Sequence, residues 1–261
     1  MESLLFWIIL FSLLGGVLSV MAASSFLLLP TNLRSRILPA LVSFAIGALL
    51  GAAFLGLIPH ALEYPGIEGA HNIGIAVLIG LLIFFVMEKL VLWRHCHSDH
   101  CEAHVPDFEH SKEKAAANLI LIGDGIHNLV DGVLIAAAFV TDFHLGIVTS
   151  LAIIAHEIPQ EVGDFAILLH GGFSRGKALL FNALASLTTI VGAVAAYFFL
   201  QEVQTVVPYV LAVAAASFIY IAVADLIPGL HRRTEFSASV QQLVLIVAGV
   251  MVIYITHSTL H

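Results

Sequence analysis

Two six-residue stretches hold the side chains that could do chemistry. They are His127-Asn128-Leu129-Val130-Asp131-Gly132 and His156-Glu157-Ile158-Pro159-Gln160-Glu161. Both lie inside long apolar runs, where polar side chains are costly and usually face a partner or a water-filled path. His127 and Asp131 are four residues apart, as are His156 and Gln160, so each pair shares one helical face. Together the pairs offer two imidazoles, a carboxylate and an amide oxygen. Asn128, Glu157 and Glu161 sit one position over and form an adjoining cluster. Asp124 and Asp164 extend the polar stripes by a turn, and His170 lies near the end of the second run. Such a nitrogen and oxygen set suits zinc, iron, manganese or cadmium and disfavours copper(I). Magnesium and calcium prefer all-oxygen sites. Pro159 lacks an amide donor and frees a backbone carbonyl, and Gly125 and Gly132 leave room for close helix approach.

The elements that must position these residues are membrane helices. The chain has 261 residues, 60% hydrophobic and 11% charged, against about 25% charged in a soluble domain. Apolar runs occur at about 4–29, 37–61, 73–93, 116–140, 145–170, 177–200, 205–229 and 240–257. Each is long enough to cross a hydrocarbon layer of about 30 Å, and only helix satisfies its own backbone there. The expectation is an all-α polytopic membrane protein with eight transmembrane helices, a single transmembrane domain over 1–261. Met1-Glu2-Ser3 offers no basic region, so the first run is read as a retained span.

Charge placement tests this count. The formal charge is −8, and the basic residues are Arg34, Arg36, Lys89, Arg94, Lys112, Lys114, Arg175, Lys177, Arg232 and Arg233. With eight spans, all of them fall at the odd-numbered connections or adjoining helix ends. The opposite loops hold Glu63, Glu68, Asp142 and Glu202 and no Lys or Arg. The positive-inside rule then puts the basic side in the cytoplasm and both termini outside. Depth supplies a second test. His127 is twelve residues beyond Ala115 and His156 eleven beyond Leu145, about 18 Å and about 16 Å into the layer from opposite faces. Both motifs therefore reach the midplane.

The longest polar stretch, about 94–115, contains His95, Cys96, His97, His100, Cys101 and His104, a composition that binds metals. Asp142 and His144, in an outer loop, are either a collection point or a wet turn. His60, Asp225 and His257 are as well explained by bonds to neighbouring helices. Leu57-Ile58-Pro59 and Leu226-Ile227-Pro228 fall at opposite faces, as an inverted repeat would place them.

At these residues the chain resembles the ZIP (Zrt/Irt-like protein) family of divalent-metal transporters. Val162-Gly163-Asp164-Phe165-Ala166 resembles the branch whose fifth helix carries His-Glu-x-Pro-His-Glu. The resemblance implies a 3+2+3 arrangement with an inverted repeat and a homodimer in the cell (inner) membrane. It implies that His127, Asp131, His156 and Gln160 form a primary metal site, with Asn128, Glu157 and Glu161 in a second. It also implies import toward the cytoplasm, and Asp124, Asp164 and His170 are the expected pathway residues. Gln160 stands where that branch has His, and Ser186, Thr188 and Thr189 stand where some relatives have a carboxylate. The expected cargo is Zn2+, with Fe2+, Mn2+ or Cd2+ as other candidates. No organic cofactor and no nucleic acid are expected. The competing class is an intramembrane zinc metalloprotease, because His156-Glu157 begins an HExxH-like run. That run ends at Gln160, so the second His is missing.

Overall fold

A computed structural model describes residues 2–67, 69–96, 108–231 and 235–260. Eight long helices make up almost all of it, and the described residues contain no strand. We number them α1 Ser3–Phe26, α2 Thr31–Glu63, α3 Ala70–Cys96, α4 Phe108–Thr141, α5 Phe143–His170, α6 Arg175–Glu202, α7 Gln204–Leu230 and α8 Phe236–Leu260. Seven helical stretches are long and apolar enough to cross a membrane among the described residues. The helix outside that set is α5, whose middle carries Glu157, Glu161 and Asp164. The chain is thus a polytopic all-α membrane protein. Its outer surface agrees: Leu78 and Leu82 on α3, Phe198 and Phe199 on α6 and Leu243 and Val244 on α8 are exposed, an apolar belt that water would not tolerate but lipid does.

Local sequence sets the helix ends. Asp142 is extended and caps α5, its carboxylate accepting from the backbone N–H of His144 and Leu145 at 2.8 and 2.9 Å. Ser174 caps α6 in the same way. Between α5 and α6 the chain turns at Gly172, whose φ of +80° favours glycine.

The packing is pairwise symmetric. Helix α2 packs on α8 as α7 packs on α3, and α4 packs on α6 as α5 packs on α1. The sequence carries this symmetry at a constant offset of 169 residues (57 to 226, 80 to 249). The π-helical segment Ala52–Leu57 in α2 corresponds to Ile221–Leu226 in α7, and each is followed by Ile-Pro. A Cβ on Gly249 would lie 2.3 Å from the Phe44 carbonyl, and one on Gly47 would lie 1.9 Å from that of Ile246. The offset maps Gly47 onto Ala216 and Gly249 onto Gly80, and those two residues also meet, at 2.6 Å from the Cβ that Gly80 lacks. Leu57-Ile58-Pro59 and Leu226-Ile227-Pro228 thus belong to a real internal repeat.

The α4–α6 seam is the closest approach near the candidate residues. A Cβ at Gly132 would lie 1.9 Å from the Thr189 carbonyl oxygen, and one at Gly192 2.1 Å from that of Leu129. Gly125 differs from its expected role, since nothing lies within 4 Å of its missing Cβ. Its carbonyl instead accepts from Thr188 Oγ1 at 2.6 Å.

Candidate metal centre

Helices α4 and α5 present their polar faces to one another halfway along their lengths. His127, Asp131, His156 and Glu157 each bring one ligand atom into a group whose members all lie within 4.8 Å of one another. The two Nε2 atoms are 3.3 Å apart. Asp131 Oδ2 is 3.3 Å from His156 Nε2 and 3.8 Å from His127 Nε2. Glu157 Oε1 is 3.4 Å from His127 Nε2 and 3.7 Å from His156 Nε2. Ligand atoms about 2.0–2.1 Å from a tetrahedral ion lie about 3.3–3.4 Å apart. The group is therefore dimensioned for one small divalent cation.

The surroundings orient the ligands. His156 Nδ1 is 3.1 Å from the Ala152 carbonyl oxygen. A carbonyl only accepts, so Nδ1 carries the proton and Nε2 turns its lone pair to the centre. Asp131, His156 and Glu157 are each only 1% exposed, whereas the His127 side chain is 20% exposed and forms the open edge. Both oxygens of Asp131 and both of Glu157 are buried without a hydrogen-bond donor. No Lys or Arg occurs between Lys114 and Arg175. Buried carboxylates without donors or fixed cations call for a proton or a metal ion.

A second polar group adjoins the first, displaced toward the end of α5. Asn128 Nδ2 donates to Asp124 Oδ1 at 2.8 Å, and Thr189 Oγ1 donates to Asn128 Oδ1 at 2.8 Å. Ser186 Oγ lies 2.9 Å from Glu161 Oε1 and 2.9 Å from the Asn182 carbonyl. Asp124 Oδ2, Glu161 Oε2 and Asn182 Oδ1 are buried with no hydrogen-bond partner. Half-buried Gln160 bonds Asp124, and Asp164 stands next along α5, within electrostatic range of Asp124.

The two clusters differ in membership from the partition the resemblance implies. Glu157 stands in the first group with the two imidazoles, and Gln160 turns toward Asp124 in the second. Asn182 escaped the sequence reading, although Asn182, Ser186 and Thr189 form one polar stripe on α6 that helical spacing would have exposed. His170 is the last residue of α5, and His95 and Cys96 end α3. His97, His100, Cys101 and His104 lie outside the described residues.

Comparison with known proteins agrees with this architecture. The chain matches the ZIP Zinc transporter family over residues 3–114 and again over 94–257. It is 34% identical to zinc transporter ZIP13 of Pongo abelii over 238 residues, covering 85% of this chain and 69% of that protein. It is 30% identical to zinc transporter zipt-7.1 of Caenorhabditis briggsae, covering 98% of this chain and 80% of that one. With zinc transporter ZIP13 of Homo sapiens it shares 32% identity over 85% of this chain and 72% of the relative. A family match across nearly the whole length, on an eight-helix membrane bundle with paired histidine motifs, means that this chain belongs to the ZIP zinc transporter family.

Proposed function

We propose that the protein imports Zn2+ into the cytoplasm, with His127, Asp131, His156 and Glu157 as the midplane binding site. The observation that carries this reading is the spacing of those four ligand atoms, 3.3–3.8 Å between the imidazoles and the carboxylates, in a cluster with no fixed cation. Fe2+, Mn2+ and Cd2+ fit the same donors and are competitors. Zn2+ is favoured because the relatives are named zinc transporters and because four mixed nitrogen and oxygen ligands suit tetrahedral zinc.

Orientation follows from the basic helix ends. Arg34, Arg36, Lys89, Lys112, Lys114, Arg175 and Lys177 lie at ends of α2, α3, α4 and α6 that share one membrane face. That face is the cytoplasmic one, and both termini are outside the cell membrane. Zinc enters past the open edge at His127. It then passes to the adjoining group of Asp124, Asn128, Gln160 and Glu161, and leaves past Asp164 and His170. Gln160, Asn128 and Glu161 act as metal contacts in transit rather than as the resting site. The loop residues His95, Cys96, His97, His100, Cys101 and His104 receive the ion in the cytoplasm, and two copies form the working homodimer. A protease reading loses its general base here, because Glu157 stands among the ligands at 3.4 Å from His127 Nε2.

The test is zinc uptake into proteoliposomes carrying the purified protein, read by a trapped fluorescent zinc reporter. Fe2+ and Mn2+ serve as competitors, and His127→Ala is assayed beside the wild type. Zinc flux in the wild type and its loss in the variant are the expected results. Flux no greater than that of empty vesicles, from folded protein, would overturn the reading.

A further inference from the structure

A second imidazole pair stands away from the midplane site. His60 lies in the last turn of α2 and His257 in the last turn of α8. Their ring centroids are 5.5 Å apart with an interplanar angle of 74°. The midplane pair, His127 and His156, has the same separation, 5.5 Å, at 85°. Two imidazoles bound edge-on to one tetrahedral ion place their ring centres about 5.2 Å apart. The outer pair thus has the ring spacing of the inner one.

The likeness extends to how one ring of each pair is held. His60 Nδ1 is 2.9 Å from the carbonyl oxygen of Gly56, four residues back. His156 makes the same bond to Ala152, also four residues back. In both, Nδ1 must carry the proton and Nε2 the metal-binding lone pair. A hydrogen bond of this kind fixes tautomer and ring direction, which stacking alone does not require.

Charge is supplied from the turn between α4 and α5. Asp142 lies within electrostatic range of the His144 and His60 imidazoles. His144 Nδ1 is 3.8 Å from Asp142 Oδ1.

We infer that His60 and His257 together hold one divalent transition-metal ion at the outer mouth of the bundle, with Asp142 and His144 attracting it. The site is a capture station ahead of the midplane. Two protein nitrogens with water completing the shell bind less tightly than four protein ligands, as a station that must release its ion requires. The capture role rests on the orientation proposed above. Metal binding by the pair does not.

The experiment counts zinc ions bound per chain by equilibrium dialysis. The starting protein has His95, Cys96, His97, His100, Cys101 and His104 replaced by Ser, so that the loop adds no sites. His60→Ala with His257→Ala is expected to lose one zinc per chain and keep the ion that Asp131→Ala removes. An unchanged zinc count and affinity overturns the proposal. In proteoliposomes, either single variant is expected to raise the KM for zinc about fivefold with the maximal rate unchanged, and the double variant to do no worse than either single one. The zinc-free unfolding midpoint is measured for each variant. A lowered midpoint with a lower maximal rate and unchanged KM marks a purely structural pair and also overturns it. If no protein carries zinc across the bilayer yet the outer ion is bound and lost as described, the transport reading fails and this one stands.

Discussion

Membership of the four-residue cluster turns on one position. Glu157 and Gln160 follow His156 by one and four residues, so spacing alone favours Gln160 as the partner on the His156 face. In the structure Glu157 takes that place, 3.7 Å from His156 Nε2. Which flank of His156 faces α4 depends on how α5 is rotated about its axis, and the sequence spacing does not determine rotation. The equal depth of the two hexads was legible, because counting residues from helix ends needs no tertiary information. Losing an outer-shell partner typically costs about 10–100-fold in metal affinity, so losing a direct ligand costs at least about 100-fold. Asp131→Ala and Glu157→Ala are therefore each expected to cut zinc flux by at least about 100-fold at unchanged membrane abundance. Asn128 links Asp124 to Thr189 through its amide, and Asn128→Ala is expected to fall in the range of about 10–100-fold. Flux equal to wild type in Asp131→Ala would remove that carboxylate from the site.

The helices hold these residues through glycine contacts and caps that differ in how readable they were. Gly132 was legible as a close-approach residue because it ends the first hexad. Gly192 was not, since its partner is a backbone carbonyl on another helix, 2.1 Å from the missing Cβ. Adding a methyl group there must push α4 and α6 apart. Overpacking of this kind costs about 1–3 kcal/mol, so Gly192→Ala is expected to lower the unfolding midpoint in detergent and reduce flux. Gly163→Ala is the control: nothing lies within 4 Å of that position, and Ala is the better helix former by about 0.8–1 kcal/mol. Its midpoint should stay level or rise. A midpoint for Gly192→Ala equal to that of Gly163→Ala would mean the seam is loose in solution. At the start of α5, Asp142→Ala removes two bonds to backbone N–H groups and is expected to cost about 1 kcal/mol near neutral pH. Because the folded-state pKa of Asp142 is depressed, this contribution is present above the ordinary carboxylate pKa and fades as pH falls through the lowered value. The midpoints of wild type and variant should converge in acid, and a gap that persists there would assign the loss to something other than the ionised cap.

The whole molecule divides into two packing sets. Helices α1, α4, α5 and α6 pack on one another and contain every residue of the two polar clusters, while α2, α3, α7 and α8 pack as two symmetric pairs joined by the contact of α2 with α7. The eight helices and the basic helix ends were readable from composition, because hydrocarbon imposes both span length and charge placement. The repeat was legible only as Leu-Ile-Pro. Its π-helical segments and matched glycine contacts arise from packing, which no tripeptide encodes. A site wholly within one set can cross the membrane if that set moves against the other, and the contact between α2 and α5 is where such sliding would occur. A Cβ on Gly56 of α2 would lie 3.1 Å from Leu145 and 3.8 Å from Val148 of α5, across the boundary. One on Gly15 of α1 would lie 3.3 Å from Ile153 of α5, within a single set. In a chain lacking Cys96 and Cys101, an oxidised Gly56→Cys/Val148→Cys pair is expected to stop zinc flux, and a reductant to restore it. The Gly15→Cys/Ile153→Cys pair should crosslink without stopping flux, since both residues would travel together. If the first crosslink forms fully and zinc still crosses at the uncrosslinked rate, the two sets do not move past one another during transport.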